Sequence, residues 1–518
     1  MADGRDLTDD ELKTFNKLLH QLNQHKRRNK LRDRYGDSKK TLDQVGFSIP
    51  PHMASFQAVL GWPDKSCGVL TRRLRPRLFA VAGESSLLED VNTHFGSSDV
   101  QLVERMAIEA AARHGAAFVF TSKGDTSIGE PEVIHSVCSA LTATALQDPR
   151  SRRVIAALEV VDNGFNLNLP GYTLFVGRKG NQWRVLEEFL TTPGRVLCTP
   201  YVIGGRVDRP FGKSRITRPV MALTDMAVRV MLRQEVSAEF FSSPQRYMLG
   251  ATEDMFVGPN GEPRTGWETI LGGLLVAPDD EDKYENQRVT VGQFAQMSMQ
   301  PHSDHLRSVA MMFSGETSIP ASYLGILHDN PSSAEAIIAH EAELVSIAES
   351  EIDWLSPARV TLAQNAIAVI AGTEFTASEA TEIYRFSPLW NDPSTPTRAA
   401  TADAMAKEIG ALPWMAESDV ALEGFGHDGP TIERLKGDRR RAMVGSFFGR
   451  LDAQGDPGQP ASQPADELSA AQVLKVKADA VGVLRRAGVD AADAADRAGL
   501  PGLKFIPGQP ITIKQADE

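Results

Sequence analysis

The stretch that most constrains this chain is residues 213–250, KSRITRPVMALTDMAVRVMLRQEVSAEFFSSPQRYMLG. From Val220 to Phe241 it contains neither glycine nor proline. Thr217 is placed to cap a helix, and Pro219 falls in the first turn, where a missing N–H is tolerated. The spacing predicts one helix of about 35 Å, ended by Ser242, Ser243 and Pro244. Val220, Leu223, Ala227 and Val230 share one face, while Met221, Val228 and Leu232 lie elsewhere. A helix that is apolar on more than one side packs against several neighbours. It is therefore either a core helix of a large domain or one helix of a ring of copies. Asp225, Arg229 and Arg233 form a line at i, i+4 and i+8 suited to ion pairs and to packing between helices.

Length and charge narrow the classes. A chain of 518 residues has room for about three domains. The formal net charge of -12 disfavours a protein that coats nucleic acid by general attraction, without excluding one that encircles DNA. Cys67, Cys138 and Cys198 are odd in number and far apart, so no disulfide framework is implied. No apolar leader and no membrane-length apolar window is present, and no membrane partner is expected.

In chain order, Thr8 and Glu11 form a capping box that opens a helix near Asp9. That helix runs into Lys26, Arg27, Arg28, Lys30, Arg32 and Arg34 and ends near Gly36. The basic run is a solvated face, a surface for an acidic neighbour, or a DNA contact. Residues 87–114 read as two helices broken near Gly96. Strands are expected at 117–121, 154–161, 172–176, 183–185 and 195–202, with a helix interrupting at about 130–146. The fold class is α+β.

After Pro244 come turns and an acidic run, Asp279, Asp280, Glu281, Asp282 and Glu285, in an insertion of about 50 residues. A second helix from Pro301 carries Leu306, Val309, Ala310 and Phe313 on one face and is expected to stop at Ser314 and Gly315. Residues 315–332 hold two prolines, two glycines and an Asp-Asn-Pro turn, and read as a long loop. A loop of that length between capped helices is more often functional than decorative. It offers Glu316, Thr317, Ser318, Tyr323, His328, Asp329 and Asn330. From 308 to 358 there is no lysine or arginine. Ser332 and Glu335 open a further helix through Ile352, and 358–372, 376–386, 399–410 and 430–443 also read as helices. Residues 451–467 are a linker by composition, and 468–518 form a small helical tail.

No enzymatic signature emerges. There is no P-loop, no His-Glu-x-x-His and no Gly-x-Ser-x-Gly. GFGHDG at 424–429 matches the dinucleotide fingerprint in letters but lacks a preceding strand, so a turn between helices is expected. His302, His305 and His340 lack the spacing of a metal site, and nothing activates Ser314. No catalytic residue, metal or cofactor is expected. The rival readings are a hydrolase or nucleotide-dependent enzyme with 315–333 as its active-site loop, and a monomeric adaptor.

The block SRITRPVMALTDMAVRVMLRQEVSAEFFSSPQRYMLG, then VGQF at 291–294, IPASYLG and DNPSSAEAIIAHEAELV, resembles the portal proteins of tailed double-stranded DNA bacteriophages, closest to siphophages of actinobacteria. The tail segment KADAVGVLRRAGVDAADAADRAGLPGL is similar to those of the same group. The resemblance implies a homo-oligomeric ring, usually of twelve, at one capsid vertex of the virion, assembled in the host cytoplasm. It implies double-stranded DNA passing through the axis, and contacts with a terminase motor, the major capsid protein and scaffold, and a head-tail connector. On this pattern 1–212 would be the wing, 213–242 and 293–314 the two stem helices and 243–292 an α/β clip between them. Residues 315–332 would be a DNA-facing tunnel loop, and 333–450 a helical wing and crown part.

Overall fold

The computed structural model describes residues 4–42, 58–242, 246–249, 290–293, 297–326 and 334–441, apart from 84, 192–193, 374–375, 395–397 and 428–430, with a few isolated positions elsewhere. The chain divides into two compact units, residues 1–395 and 396–518.

In the first unit, α1 (Asp9–Gly36) begins on the expected capping box: the Thr8 hydroxyl accepts from Glu11 N, and Thr8 N–H donates to Glu11 Oε2 at 2.8 Å. Its buried face, Phe15, Leu18 and Leu22, covers a six-stranded antiparallel sheet of order β1-β9-β8-β7-β6-β5. These strands are β1 (Arg5–Asp6), β5 (Ala143–Gln147), β6 (Val154–Val161), β7 (Gly164–Leu169), β8 (Tyr172–Lys179) and β9 (Gln182–Leu190). A three-stranded sheet, β10-β3-β4, lies beside it, built from β3 (Ala116–Lys123), β4 (Val133–Ser139) and β10 (Cys198–Val202).

The helix expected at about 130–146 is not there: β4 and β5 occupy it. Ala and Leu favour a helix locally, but Val133 and His135 alternate with more open positions, and β4 pairs with β3 in unbroken register from Ala117↔Ser139 to Lys123↔Val133. Cross-strand pairing overrides the local preference. The other expected strands are present; β7 and β2 (Pro76–Val81) are additional.

Helix α4 (Ser98–His114) packs on β3, α2 (Trp62–Thr71) packs against α4, and α3 (Leu88–Phe95) against β2, with the break between α3 and α4 at Gly96 as expected. The long helix is α5 (Arg218–Ser242), with Val220 N–H donating to the Thr217 hydroxyl at 3.3 Å. The second long helix, α6, covers Gln300–Thr317 with Pro301 in its first turn. The expected stop at Gly315 is overruled. Phe313 packs against Trp62 with ring centroids 5.0 Å apart, and buried Thr317 donates its hydroxyl to Phe313 O at 2.7 Å. Burial on both sides of an exposed glycine offsets its conformational penalty of about 1 kcal/mol. The helix ends instead at Ser318, which takes a left-handed φ of 57°.

One continuous helix, α7 (Ala334–Ala371), replaces the two expected on either side of Pro357. Leu355, Arg359, Leu362 and Ala363, all fully buried, hold the chain helical through the proline. After α8 (Ala377–Ile383) comes β13 (Phe386–Trp390), which pairs with β2, although its first residue was expected to close a helix.

In the second unit, α9 (Arg398–Ala411) and α10 (Asp419–Gly424) are joined by a short 3-10 turn, and residues 431–441 are helical. Residues 424–427, the described part of GFGHDG, close α10 in a helix-terminating motif: Gly426 has φ +85°, and His427 N–H donates to Leu422 O at 3.2 Å. The linker at 451–467 and nearly all of the tail at 468–518 lie outside the described residues.

Candidate functional site

Helices α5 and α6 form an antiparallel pair. At one end, Arg215 Nη2 donates to Thr317 O at 2.7 Å and the Thr217 hydroxyl lies 3.5 Å from Glu316 Oε1. At the other, Ser237 Oγ and His302 Nε2 are 3.3 Å apart. Two strands extend the pair beyond its far end: β11 (Arg246–Leu249) and β12 (Thr290–Gln293) are antiparallel, with Tyr247 opposite Gly292. A Cβ at Gly292 would sit 2.3 Å from the Tyr247 ring, so only glycine allows that ring across the ribbon. A segment rich in acidic residues is thus inserted at the tip of a helical hairpin, and most of it lies outside the described residues.

On the pair itself, Val220, Ala227 and Val230 are buried with Val309, Ala310 and Phe313. Of the expected charged line, Asp225 turns to the core side and accepts from Tyr35 Oη at 2.8 Å. No ion pair joins Asp225, Arg229 and Arg233 to one another among the described residues; Arg233 is exposed.

The expected loop begins later and is held more tightly than its composition suggests. Glu316 and Thr317 belong to α6. Glu316 is exposed, but the Thr317 side chain is only 3% exposed and points into the body, the reverse of the expected orientation. Ser318 donates to Glu343 at 2.7 Å, and the Ser314 hydroxyl donates to Ile319 O at 2.7 Å. Residues Ala321–Leu324 make a 3-10 turn closed by Gly325 at φ +87°. Tyr323, expected to face DNA, is half-buried, and its hydroxyl donates inward to Glu341. Burial, and then that carboxylate, raise its pKa.

Glu341 is itself paired with Arg73 at 2.9 Å, both largely buried; Arg73 also reaches Pro393 O at 2.7 Å and the Tyr323 oxygen at 3.3 Å. Lys65 donates to Tyr323 O. The anchor residues Arg73, Glu341 and Lys65 went unnoticed in the sequence because the pair is separated by 268 positions and carries no local signature. His328, Asp329 and Asn330 lie outside the described residues.

The electrostatic character of this region follows from what flanks it. Arg307 precedes and Arg359 follows a segment without any lysine or arginine, and Arg359 is wholly buried. Its exposed ionisable groups include Glu316, Glu343, Glu349 and Asp353. The surface made by the end of α6, the 3-10 turn and the first half of α7 is therefore acidic. Among the described residues no cluster of His, Cys, Asp and Glu is arranged to hold a metal, and no helix is long and apolar enough to cross a membrane.

No protein-family model matches the chain. It is similar to a portal protein of Mycobacterium phage D29, 25% identical over 441 residues, covering 83% of this chain and 88% of that protein. It is also similar to a portal protein of Mycobacterium phage L5, 24% identical over 456 residues, covering 84% of this chain and 92% of that one. A solved chain described as the neck of an empty GTA particle aligns at 11% identity and a TM-score of 0.38, over 70% of this chain and 89% of that one.

Proposed function

We infer that this chain is a portal protein of the bacteriophage type, a structural component of the virion. Similarity to two portal proteins along more than four fifths of its length carries the inference. The antiparallel α5–α6 pair with a segment inserted at its tip supports the finer reading. In that reading α5 and α6 are the stem, the insertion around β11 and β12 is the clip, the sheets with α1 to α4 are the wing, and 318–333 is the tunnel loop. Copies close into a ring of twelve at one capsid vertex. Double-stranded DNA runs through the axis during packaging and ejection, a terminase motor and a head-tail connector dock at the clip, and capsid protein and scaffold meet the wing. The protein performs no catalysis of its own.

The acidic surface fits the task. Each phosphate neutralised by a cation adds affinity and holds the strand, whereas an anionic wall repels phosphates towards the axis and lets DNA slide. With no base edge contacted, passage is independent of sequence. Negative-stain images of the purified protein test the ring directly: closed rings are expected, and a monodisperse monomer under every condition overturns the reading. Deleting residues 255–290 should leave soluble protein that no longer closes into rings, because strands such as β11 and β12 gain partners from neighbouring copies. Normal rings from that deletion would refute the assignment of the clip.

A further inference from the structure

Between Glu11 and Asp33 there is no acidic residue, although the chain as a whole carries a net charge of -12. This acid-free stretch, residues 12–32, makes up three quarters of α1. Its second half presents Lys26, Arg27, Arg28, Lys30 and Arg34, every one of them exposed. None of the five makes an ion pair or a side-chain hydrogen bond among the described residues. At about 100° per residue, Lys26, Lys30, Arg34 and Arg27 fall within roughly a quarter turn, a cationic stripe whose successive charges rise about 6 Å along the axis. The helix beneath is rigidly seated: Asn29, 2% exposed, donates to Ala140 O at 3.1 Å, and Leu22 is buried against the sheet.

We propose that this stripe of α1 is a binding site for the phosphate backbone of double-stranded nucleic acid, separate from the acidic surface of α6 and α7. The chemistry of the neighbouring side chains decides between a polyanion and an acidic protein. From Asn23 to Arg34 no exposed residue is apolar or aromatic; Leu31 is turned to the core and the other exposed side chains are Asn23, Gln24 and His25. A protein interface needs an apolar or aromatic anchor at its centre, and this surface has none. Phosphate contacts need only cations and polar donors, which is what the stripe supplies. The positive field is also felt by its neighbours: after burial, the charge of Arg28 is the next cause lowering the pKa of both His25 and Arg32. The two surfaces are opposite in character, one that repels phosphate and one that grips it.

The site does not depend on the ring reading, and a suitable probe keeps the two apart. Covalently closed circular duplex DNA cannot thread a closed ring, so its binding reports on outer surfaces alone. The full-length parent should bind it with an affinity that falls steeply with salt. The variant K26Q/R27Q/K30Q/R34Q should keep its assembly size and melting behaviour, while the slope of log Kobs against log[salt] becomes shallower by about 3 to 4. Lys407→Gln, on α9, should leave the slope at the parent value. A parent-like slope in the quadruple variant overturns the proposal. So does a parent that ignores the circle but captures poly-glutamate through the same four residues, which would assign the stripe to an acidic polypeptide.

Discussion

Arg359 Nε lies 2.6 Å from Glu104 Oε1, and both side chains are out of solvent. Glu104 also accepts from Tyr201 Oη at 3.0 Å. The guanidinium reaches Leu389 O at 3.0 Å and Arg77 O, and stands 4.7 Å from the Phe79 ring centroid and 5.2 Å from that of Trp390. One side chain thus ties α7 to α4, β2 and β13, satisfying groups that would otherwise be buried unpaired. Removing only the cation strands a carboxylate. Arg359→Met should destabilise the first unit by about 3–5 kcal/mol, whereas R359M/E104Q should recover part of the loss because no uncompensated charge remains. Urea midpoints of the three proteins check this; equal losses in the single and double variants would show that packing, not charge, dominates.

The Tyr323 hydroxyl is the peg of the loop. Tyr323→Phe removes its bond to Glu341 while Arg73 still neutralises that carboxylate, so the local cost is about 1.5 kcal/mol. Assembly size should be unchanged, and limited proteolysis should cut residues 325–333 faster than in the parent. Unchanged cleavage would mean that Arg73 and Lys65 hold the segment without the hydroxyl.

A histidine pair makes the first unit sensitive to acid. His94 Nε2 and His135 Nε2 are 2.8 Å apart, and the other ring nitrogen of His135 lies 3.0 Å from the Thr121 hydroxyl. Burial, and then His94, push His135 down to about 3, and burial lowers His94. Both folded values lie below the unfolded value near 6.5, so their stability is fully present above about pH 6.5 and is lost as pH falls below it, for His135 down towards 3. Over that window each histidine that stays neutral when folded costs about 1.4 kcal/mol per pH unit. His135→Gln should flatten the fall in urea midpoint between about pH 6.5 and 4.5. A profile as steep as the parent's would assign the acid sensitivity to carboxylates instead.

Charge reversal tests the acidic surface. Replacing Glu316 and Asp329 by lysine should leave rings intact by size but slow or stall DNA passage. Binding of linear duplex should tighten, with a salt slope steeper by about 1 for each lysine that meets a phosphate. Variants that package and bind like the parent would show that these residues do not face the channel.

Local chemistry alone determined much of this protein. The Thr8–Glu11 box, the α5 span, the break at Gly96 and the closing of α10 at Gly426 all follow from caps, glycines and unbroken helical runs, because those features act within one turn of chain. Tertiary structure decided the rest wherever a distant partner outweighed a local preference. Residues 133–139 and 143–147 are strands because β3 and β6 supply ladder partners, and α6 passes Gly315 because Phe313 and Thr317 are buried on either side. Pro357 sits inside α7 because the core around Arg359 stabilises more than a missing N–H costs. The loop followed the same rule. Its composition marked it as irregular and free of cations, but only the fold brought Tyr323 to Glu341 and Arg73. Contacts between positions that far apart leave no period or spacing in the sequence from which to read them.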